Sequence, residues 1–266
     1  EKLCTRCNTC STVCVLRIIE KATRSSFPTI APENLKRCFI CGHCEAFCPQ
    51  KALTLDFRLE EKKNLVFSEN QIDPLDLSSY LKRRRSIRSY SARLVPKELI
   101  ARVIDVARFS PSGGNGQPVR WTVFQDPTDV RKISELTVEW MRTLQPAGSP
   151  LADYVKPIIA AWDGGVDSVC RNAPHLLLAH VPCNESGYDP TDAIIALAHF
   201  DVAAPSFGLG TCWAGFVKMA ADQHKPLQDF LAVSSGRRVA YAMMFGYPSL
   251  EPSSIPRRNP VKIIWR

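Results

Sequence analysis

The chain has 266 residues, 45% hydrophobic and 23% charged, enough to bury the core of one or two globular domains. No uninterrupted apolar run reaches membrane-spanning length: the longest apolar region, 193–209, carries His199 and Asp201. The formal net charge of +8 would suit a nucleic-acid or membrane surface, but much of it sits in one run, Lys82-Arg83-Arg84-Arg85 with Arg88.

Eight of the eleven cysteines fall in two copies of C-x2-C-x2-C-x3-C: Cys4, Cys7, Cys10, Cys14, then Cys38, Cys41, Cys44, Cys48, with Pro49 closing the second copy. This is the spacing of the bacterial iron–sulfur run, in which the fourth cysteine of each copy ligates the other cluster. It predicts two [4Fe–4S] clusters, one on Cys4, Cys7, Cys10 and Cys48, the other on Cys38, Cys41, Cys44 and Cys14. Thiolates two residues apart wrap a short loop around one cube and turn backbone N–H groups toward sulfur. One departure is visible: Val15 follows Cys14 where a proline would complete the first copy. A zinc ribbon would use isolated C-x2-C pairs. A disulfide framework would need an oxidising compartment, and no secretory signal opens the chain. Ligating thiolates are deprotonated, so the loaded protein is less basic than the formal charge says. Cys170, Cys183 and Cys212 stand in apolar surroundings and are expected to be small, buried and reduced. Clusters and free thiols together suggest a reducing, anaerobic cytoplasm.

Residues 1–60 hold every predicted cluster ligand and little apolar periodicity, so the clusters would act as staples for a small domain. Leu53–Phe57 alternates like a short closing strand. The charged stretch 61–73 reads as a linker, and a second domain spans 74–266. Asp73-Pro74 opens a helix through Tyr80-Leu81, and Pro96–Phe109 is a second helix with Leu99, Ile100, Val103, Ile104, Val106 and Ala107 at helical spacing. Ser110–Gly116 is a loop by composition. Val119–Phe124 reads as strand and Thr128–Leu144 as helix. Pro157–Trp162 and Ala173–Val181 read as buried strands or short buried segments. Asp189-Pro190-Thr191-Asp192 starts an apolar helix to about Phe207, stopped by Gly208 and Gly210. Strand over Thr211–Val217, helix over Asp222–Leu231 and strand over Val239–Phe245 complete the pattern, which is not a regular βαβ series.

Three features of the second domain converge on an anionic, planar ligand. Arg84-Arg85-Ser86-Ile87-Arg88 offers guanidinium groups and a hydroxyl for a phosphate; a solvated basic face or a nucleic-acid patch is the plainer reading. The 110–117 loop has glycines that allow close backbone approach, with Asn115 and Gln117 as donors and acceptors. Gly208-Leu209-Gly210-Thr211-Cys212-Trp213-Ala214-Gly215 again suggests backbone beside a flat ring, or equally a helix stop followed by a core strand.

Taken in order, RRSIRSY at 84–90, SPSGGNGQPV at 110–119, NAPHLLLAH at 172–180, PTDAIIALAHFDVAAPSFGLGTCWAGF at 190–216 and PRRNP at 256–260 resemble the nitroreductase family of FMN enzymes over about residues 75–266. With the cysteine module in front, the chain resembles a ferredoxin-fused nitroreductase. The resemblance implies an α+β fold: a small two-[4Fe–4S] ferredoxin-like domain, then a nitroreductase-like domain with a central, mainly antiparallel sheet flanked by helices. It also implies a homodimer with FMN at the interface, which the apolar helix from Thr191 would suit. By the same resemblance Arg84, Arg85, Ser86 and Arg88 match the flavin phosphate and ribityl contacts. Arg258, with Arg257, matches a late phosphate-binding base. Pro111, Ser112, Gly113 and Asn115, with Gln117, match a loop supplied by the partner subunit. Ala214 and Gly215, preceded by Trp213, match the backbone at the flavin N5 and O4 edge. Some family members have an acidic or polar residue where Ala214 stands, so contact there is expected from backbone N–H, with no side-chain general acid.

The expected function is an oxidoreductase that takes single electrons from a ferredoxin-type donor through two clusters to FMN and delivers pairs to an organic acceptor such as a nitroaromatic or quinone. No G-x-G-x-x-G follows a strand, which argues against a Rossmann nicotinamide site. The alternative is a non-catalytic flavin and iron–sulfur electron carrier or redox sensor. Nucleic-acid binding through Lys82–Arg88 is set aside, because a phosphate site already accounts for those arginines.

Overall fold

A computed structural model describes residues 2–56, 71–144, 149–183 and 189–266. The chain forms two compact units, Glu1–Gln71 together with Ser112–Gly116, and Ile72–Pro111 together with Gln117–Arg266. Most of the stretch read as a linker, 61–70, lies outside the described residues.

Secondary structure in the first unit is short: α1 (Thr9–Val13), β1 (Ile19–Glu20), β2 (Thr29–Ile30), α2 (Pro32–Leu35) and α3 (His43–Ala46). β1 and β2 pair antiparallel, with Ile19 opposite Ile30. The strand expected over Leu53–Phe57 is not formed by 53–56, and Phe57 lies outside the described residues. One cause is local: the Leu55 N–H donates to Glu45 Oε2 at 2.7 Å, a side-chain acceptor in place of a neighbouring strand. Ile18 and Ile19 are the buried apolar side chains among the described residues of this unit. Two side chains are too little to hold such a unit by burial alone.

The second unit opens with α4 (Pro74–Arg83), capped by Asp73, whose carboxylate accepts from the N–H groups of Leu75 and Asp76. Next come α5 (Lys97–Ala107), β3 (Arg120–Phe124), α6 (Pro127–Thr143), α7 (Ala152–Asp163), β4 (His175–Pro182), α8 (Thr191–Ala203), β5 (Gly210–Trp213), α9 (Gly215–Gln223), α10 (Lys225–Leu231) and β6 (Arg237–Gly246). The sheet runs β3-β4-β6-β5, antiparallel at every pairing.

β4 shows why the sheet is central. Leu176 and Leu178 point into a core shared with α6, α7, α9 and α10. Leu177, Ala179 and Val181 point into a second core with α5 and α8, which includes Val103, Leu197 and Phe200. Successive strand residues face opposite sides, so a strand covered on both faces reads as an unbroken apolar run. This is the helix-flanked α+β sheet the sequence implies.

Five readings change. Pro157–Trp162 is helical, inside α7. The proline and the run of Ile158, Ile159 and Ala160 look extended, but Val155 is buried and Ile158, Ile159 and Trp162 pack beside it at helical spacing. The strand at Thr211 ends at Trp213, and Gly215 already opens α9. The helix expected over Asp222–Leu231 is two helices broken at His224, which is extended, with Pro226 in the first turn of α10. The helix from Thr191 becomes a 3-10 turn at Ala204–Phe207, where Pro205 brings no N–H, and Gly208 closes it at φ +75°. Val106, counted on the apolar stripe of α5, is exposed.

Candidate functional site

In the first unit the cysteines group across the two copies. Cys4 and Cys48 are neighbours of Cys10, whose thiol is pushed up mainly by burial. Cys38 and Cys41 are neighbours of Cys44, likewise raised by burial. Cys14, Cys38, Cys41 and Cys44 line one cavity, walled by Ile18 and Ile19. Cys7 is exposed, and the Thr9 hydroxyl lowers its thiol pKa. Backbone N–H groups face sulfur as the spacing predicts: Ile40 N lies 3.4 Å from Cys38 Sγ and Ala52 N 3.2 Å from Cys48 Sγ. Arg6, Asn8 and Ile40, beside these cysteines, take left-handed backbone, which curls the loops tightly. Among the described residues no three His, Cys, Asp or Glu side chains are placed to hold a single metal ion. A cube asks for something else, since each thiolate binds a different iron.

In the second unit the segment after α4 lies against β5. The Ile87 N–H donates to Thr211 O at 2.8 Å, and Ser86 bridges Thr211 in parallel. Gly210 permits this approach, because a β-carbon there would stand 2.5 Å from Ile87 Cγ1. The Tyr90 hydroxyl donates to Ile87 O at 2.7 Å, and burial raises its phenol far above the usual range, so it stays a neutral donor. Arg85, Ser86 and Arg88 line an open groove of about 330 Å³ together with Leu250, Glu251 and Pro252. Arg85 Nη2 donates to Lys82 O, while its Nε is buried without a hydrogen-bond partner among the described residues. A basic groove with an orphaned guanidinium N–H suits an anion.

Arg84 is not among the residues lining that groove. Its Nη1 lies 3.4 Å from Asp201 Oδ2, and the same carboxylate accepts from Thr211 Oγ1 and, at 3.0 Å, from Trp213 Nε1. The Trp213 ring also meets Tyr241 edge-on, centroids 5.1 Å apart. The Ala214 N–H donates to Ala242 O, so it is not available to a ligand; Gly215, at the first position of α9, has no acceptor within its own helix. The expected backbone donor at this edge therefore narrows from Ala214 and Gly215 to Gly215. Of the loop residues, Ser112, Gly113 and Asn115 belong to the first unit, and Pro111 and Gln117 to the second. Asn115 Nδ2 donates to Ile40 O at 3.0 Å. Arg257 and Arg258 lie in an exposed stretch without secondary structure, 251–266, and no described contact brings them to the groove. Cys170 and Cys212 are buried, with the Cys170 thiol pushed up to about 12 by burial, while Cys183 is half-buried. Sequence reasoning noted Asp201 only as a break in an apolar run; a lone carboxylate there was the signal that it is paired.

The family profile described as Nitroreductase family matches residues 81–247. The chain belongs to the nitroreductase family. It is an oxidoreductase by that membership. Among curated relatives, a Methanothermobacter thermautotrophicus protein provisionally named NADH dehydrogenase/NAD(P)H nitroreductase is 25% identical over 76% of this chain and 92% of its own length. The FMN reductase [NAD(P)H] of Bacillus subtilis is 32% identical over 50% of this chain and 51% of its own. Among solved structures, a Bacteroides fragilis nitroreductase with bound FMN matches with TM-score 0.58 at 17% identity, covering 71% of this chain and 99% of its own. These structural likenesses establish the nitroreductase-like fold. Among the described residues no helix is long and apolar enough to cross a membrane.

Proposed function

We propose that this nitroreductase-family chain is an FMN- and iron–sulfur-dependent oxidoreductase that moves electrons from a ferredoxin-type donor to a small organic acceptor such as a nitroaromatic or quinone. Two [4Fe–4S] clusters and FMN are its resident groups, and the working form is a homodimer with FMN at the interface. The observation that carries the reading is the crossed grouping of the cysteines, with Cys4 and Cys48 both neighbours of Cys10, and Cys14 lining a cavity with Cys38, Cys41 and Cys44. That is the ligand exchange a two-cluster module requires. It also explains how a unit with two buried apolar residues among those described holds together.

The clusters, when bound, store single electrons, and FMN supplies two-electron chemistry to organic acceptors. Arg85, Ser86 and Arg88 would hold the flavin phosphate, where the orphaned Arg85 Nε offers one donor. Arg257 and Arg258 would join them from the C-terminal stretch, and Pro111, Ser112, Gly113, Asn115 and Gln117 from the partner subunit. The Gly215 N–H would face the N5 and O4 edge, and Trp213 would wall the pocket. With no acidic side chain at Ala214, protons for the acceptor come from solvent or from the acceptor's own surroundings.

The test is reduction of the anaerobically purified full chain, followed by flavin absorbance and iron content. Reduced ferredoxin should bleach the flavin quickly, and Cys41→Ala should slow this while leaving reduction by dithionite intact. The names of the relatives point to NAD(P)H as the other donor. Fast bleaching by NAD(P)H alone, or ferredoxin-driven bleaching untouched by Cys41→Ala, would overturn the ferredoxin-fed reading.

A further inference from the structure

Asp201 joins three segments of the proposed flavin site. It is 6% exposed, on the last turn of α8. Its two oxygens are fully engaged. Oδ1 accepts from Thr211 Oγ1, at the start of β5. Oδ2 accepts from Trp213 Nε1 at 3.0 Å, at the end of β5, and lies 3.4 Å from Arg84 Nη1. Thr211 and Trp213 are two apart on a strand, so they present their side chains to the same face. Arg84 begins the segment that continues through Ser86 to Arg88 along β5. A buried carboxylate without partners is costly, so a site that keeps one in an apolar helix must be spending its hydrogen bonds on something definite.

What they fix is the frame of the groove. The Ile87 N–H to Thr211 O bond sets the distance between the 84–88 segment and β5. Asp201 adds the side-chain lock: it holds the guanidinium at the head of that segment and the indole that precedes Ala214-Gly215. Arg84 is 29% exposed, so one edge of its guanidinium meets Asp201 while the rest is left to solvent or a ligand. A guanidinium has five donors, and engaging one edge on a fixed carboxylate pre-aligns the others. Ordering these groups in advance lowers the entropy that binding would otherwise cost.

We propose that Asp201 is a positioning residue for the cofactor: through Arg84 and Trp213 it holds the phosphate-binding segment and the β5–α9 junction ready for FMN. This rests on the flavin reading above. The test is a double-mutant cycle on FMN affinity, titrating apoprotein by quenching of flavin fluorescence, with the visible spectrum of the bound flavin as a second readout. Asp201→Asn keeps the shape but loses the charge and one of the two acceptor oxygens. It should weaken FMN binding about 10- to 100-fold and shift the flavin band shape. Arg84→Gln should weaken it too, and the double variant should be scarcely weaker than Arg84→Gln alone. Rescue by Asp201→Glu, with the charge restored, supports the role. Additive effects, or Asp201→Asn binding FMN as tightly as the wild type with an unchanged spectrum, overturn it. If Asp201→Asn does not fold, Trp213→Phe, which removes the indole N–H together with one ring of the bicycle, carries the same cycle: coupling to Arg84→Gln supports the proposal and additivity overturns it. Failure of the wild-type apoprotein to bind FMN at all would instead sink the flavin reading, a result distinguishable from either.

Discussion

Acid should destabilise the second unit through one histidine. His180 is 5% exposed on β4, and burial, with Arg237 and Arg120 close by, lowers its pKa from the ordinary 6.5 to about 4. Its Nδ1 accepts from Arg237 Nε at 2.9 Å, so the proton sits on Nε2, which faces Thr122 Oγ1 at 3.2 Å. The guanidinium is held in turn by Pro118 O at 2.6 Å and His180 O at 2.8 Å. A proton on Nδ1 would set two donors face to face. The unfolded chain therefore binds this proton more readily than the folded one, and stability falls as pH drops from about 6.5 to about 4. At about 1.4 kcal/mol per pH unit, that window amounts to roughly 3 kcal/mol. All five tryptophans lie in the second unit, so their fluorescence in urea titrations of the full chain reports on it directly. His175, buried on the same strand and also lowered, adds a slope of the same sign, so the comparison is wild type against His180→Gln. The variant should be less stable at pH 7, because Arg237 Nε loses a well-placed acceptor, yet show the shallower slope between pH 6.5 and 4. Equal slopes would refute the reasoning.

The close approach at Gly210 gives a second expectation. Gly210→Ala would place a β-carbon 2.5 Å from Ile87 Cγ1 and 2.8 Å from Ile87 Cβ, so the cost should be about 1–3 kcal/mol, read as a lower Tm and weaker FMN binding. Adding Ile87→Ala should recover only part, because the Ile87 β-carbon remains in the way; full recovery, or an unperturbed single variant, would place the strain elsewhere. The crossed cysteines make a third. Cys48→Ala should disturb the cluster held by Cys4, Cys7 and Cys10, and Cys14→Ala the other, each lowering iron per chain by up to half. Losses confined in both variants to the cluster of the cysteine's own copy would refute the exchange of ligands.

Elements whose signal is local were legible. Asp73-Pro74 caps a helix because its carboxylate reaches two N–H groups within three residues, and β4 reads as strand because both its faces are buried. The misreadings differ in cause. Pro157 and the run after it look extended until the helix-spaced burial of α7 against the core decides the matter. The break at His224 had a local signal in Pro226, which suits the first turn of a new helix and not the interior of one helix over Asp222–Leu231. The pairing of Asp201 with Arg84, and of His180 with Arg237, joins residues far apart in the chain, so neither shows until the sheet brings them together.

The glycine-rich stretch 208–215 shows how a motif can be found for a partly wrong reason. Read as one feature, its glycines suggest backbone drawn up to a flat ring. In the fold they answer three separate demands. Gly208 sits at φ +75°, where a side chain would be strained, and ends a turn. Gly210 is a packing glycine, filled from the other side by Ile87. Gly215, whose N–H opens α9, is tight in its turn: a β-carbon there would come within 3.1 Å of the Tyr241 hydroxyl. On the proposed reading the stretch would still mark the site, because packing the 84–88 segment onto β5 through Gly210 is what brings the arginine groove to the strand that ends at Trp213. A ligand held there would be aligned by protein–protein contacts made before it arrives, and the affinity it gains would depend on them as much as on the groups it touches.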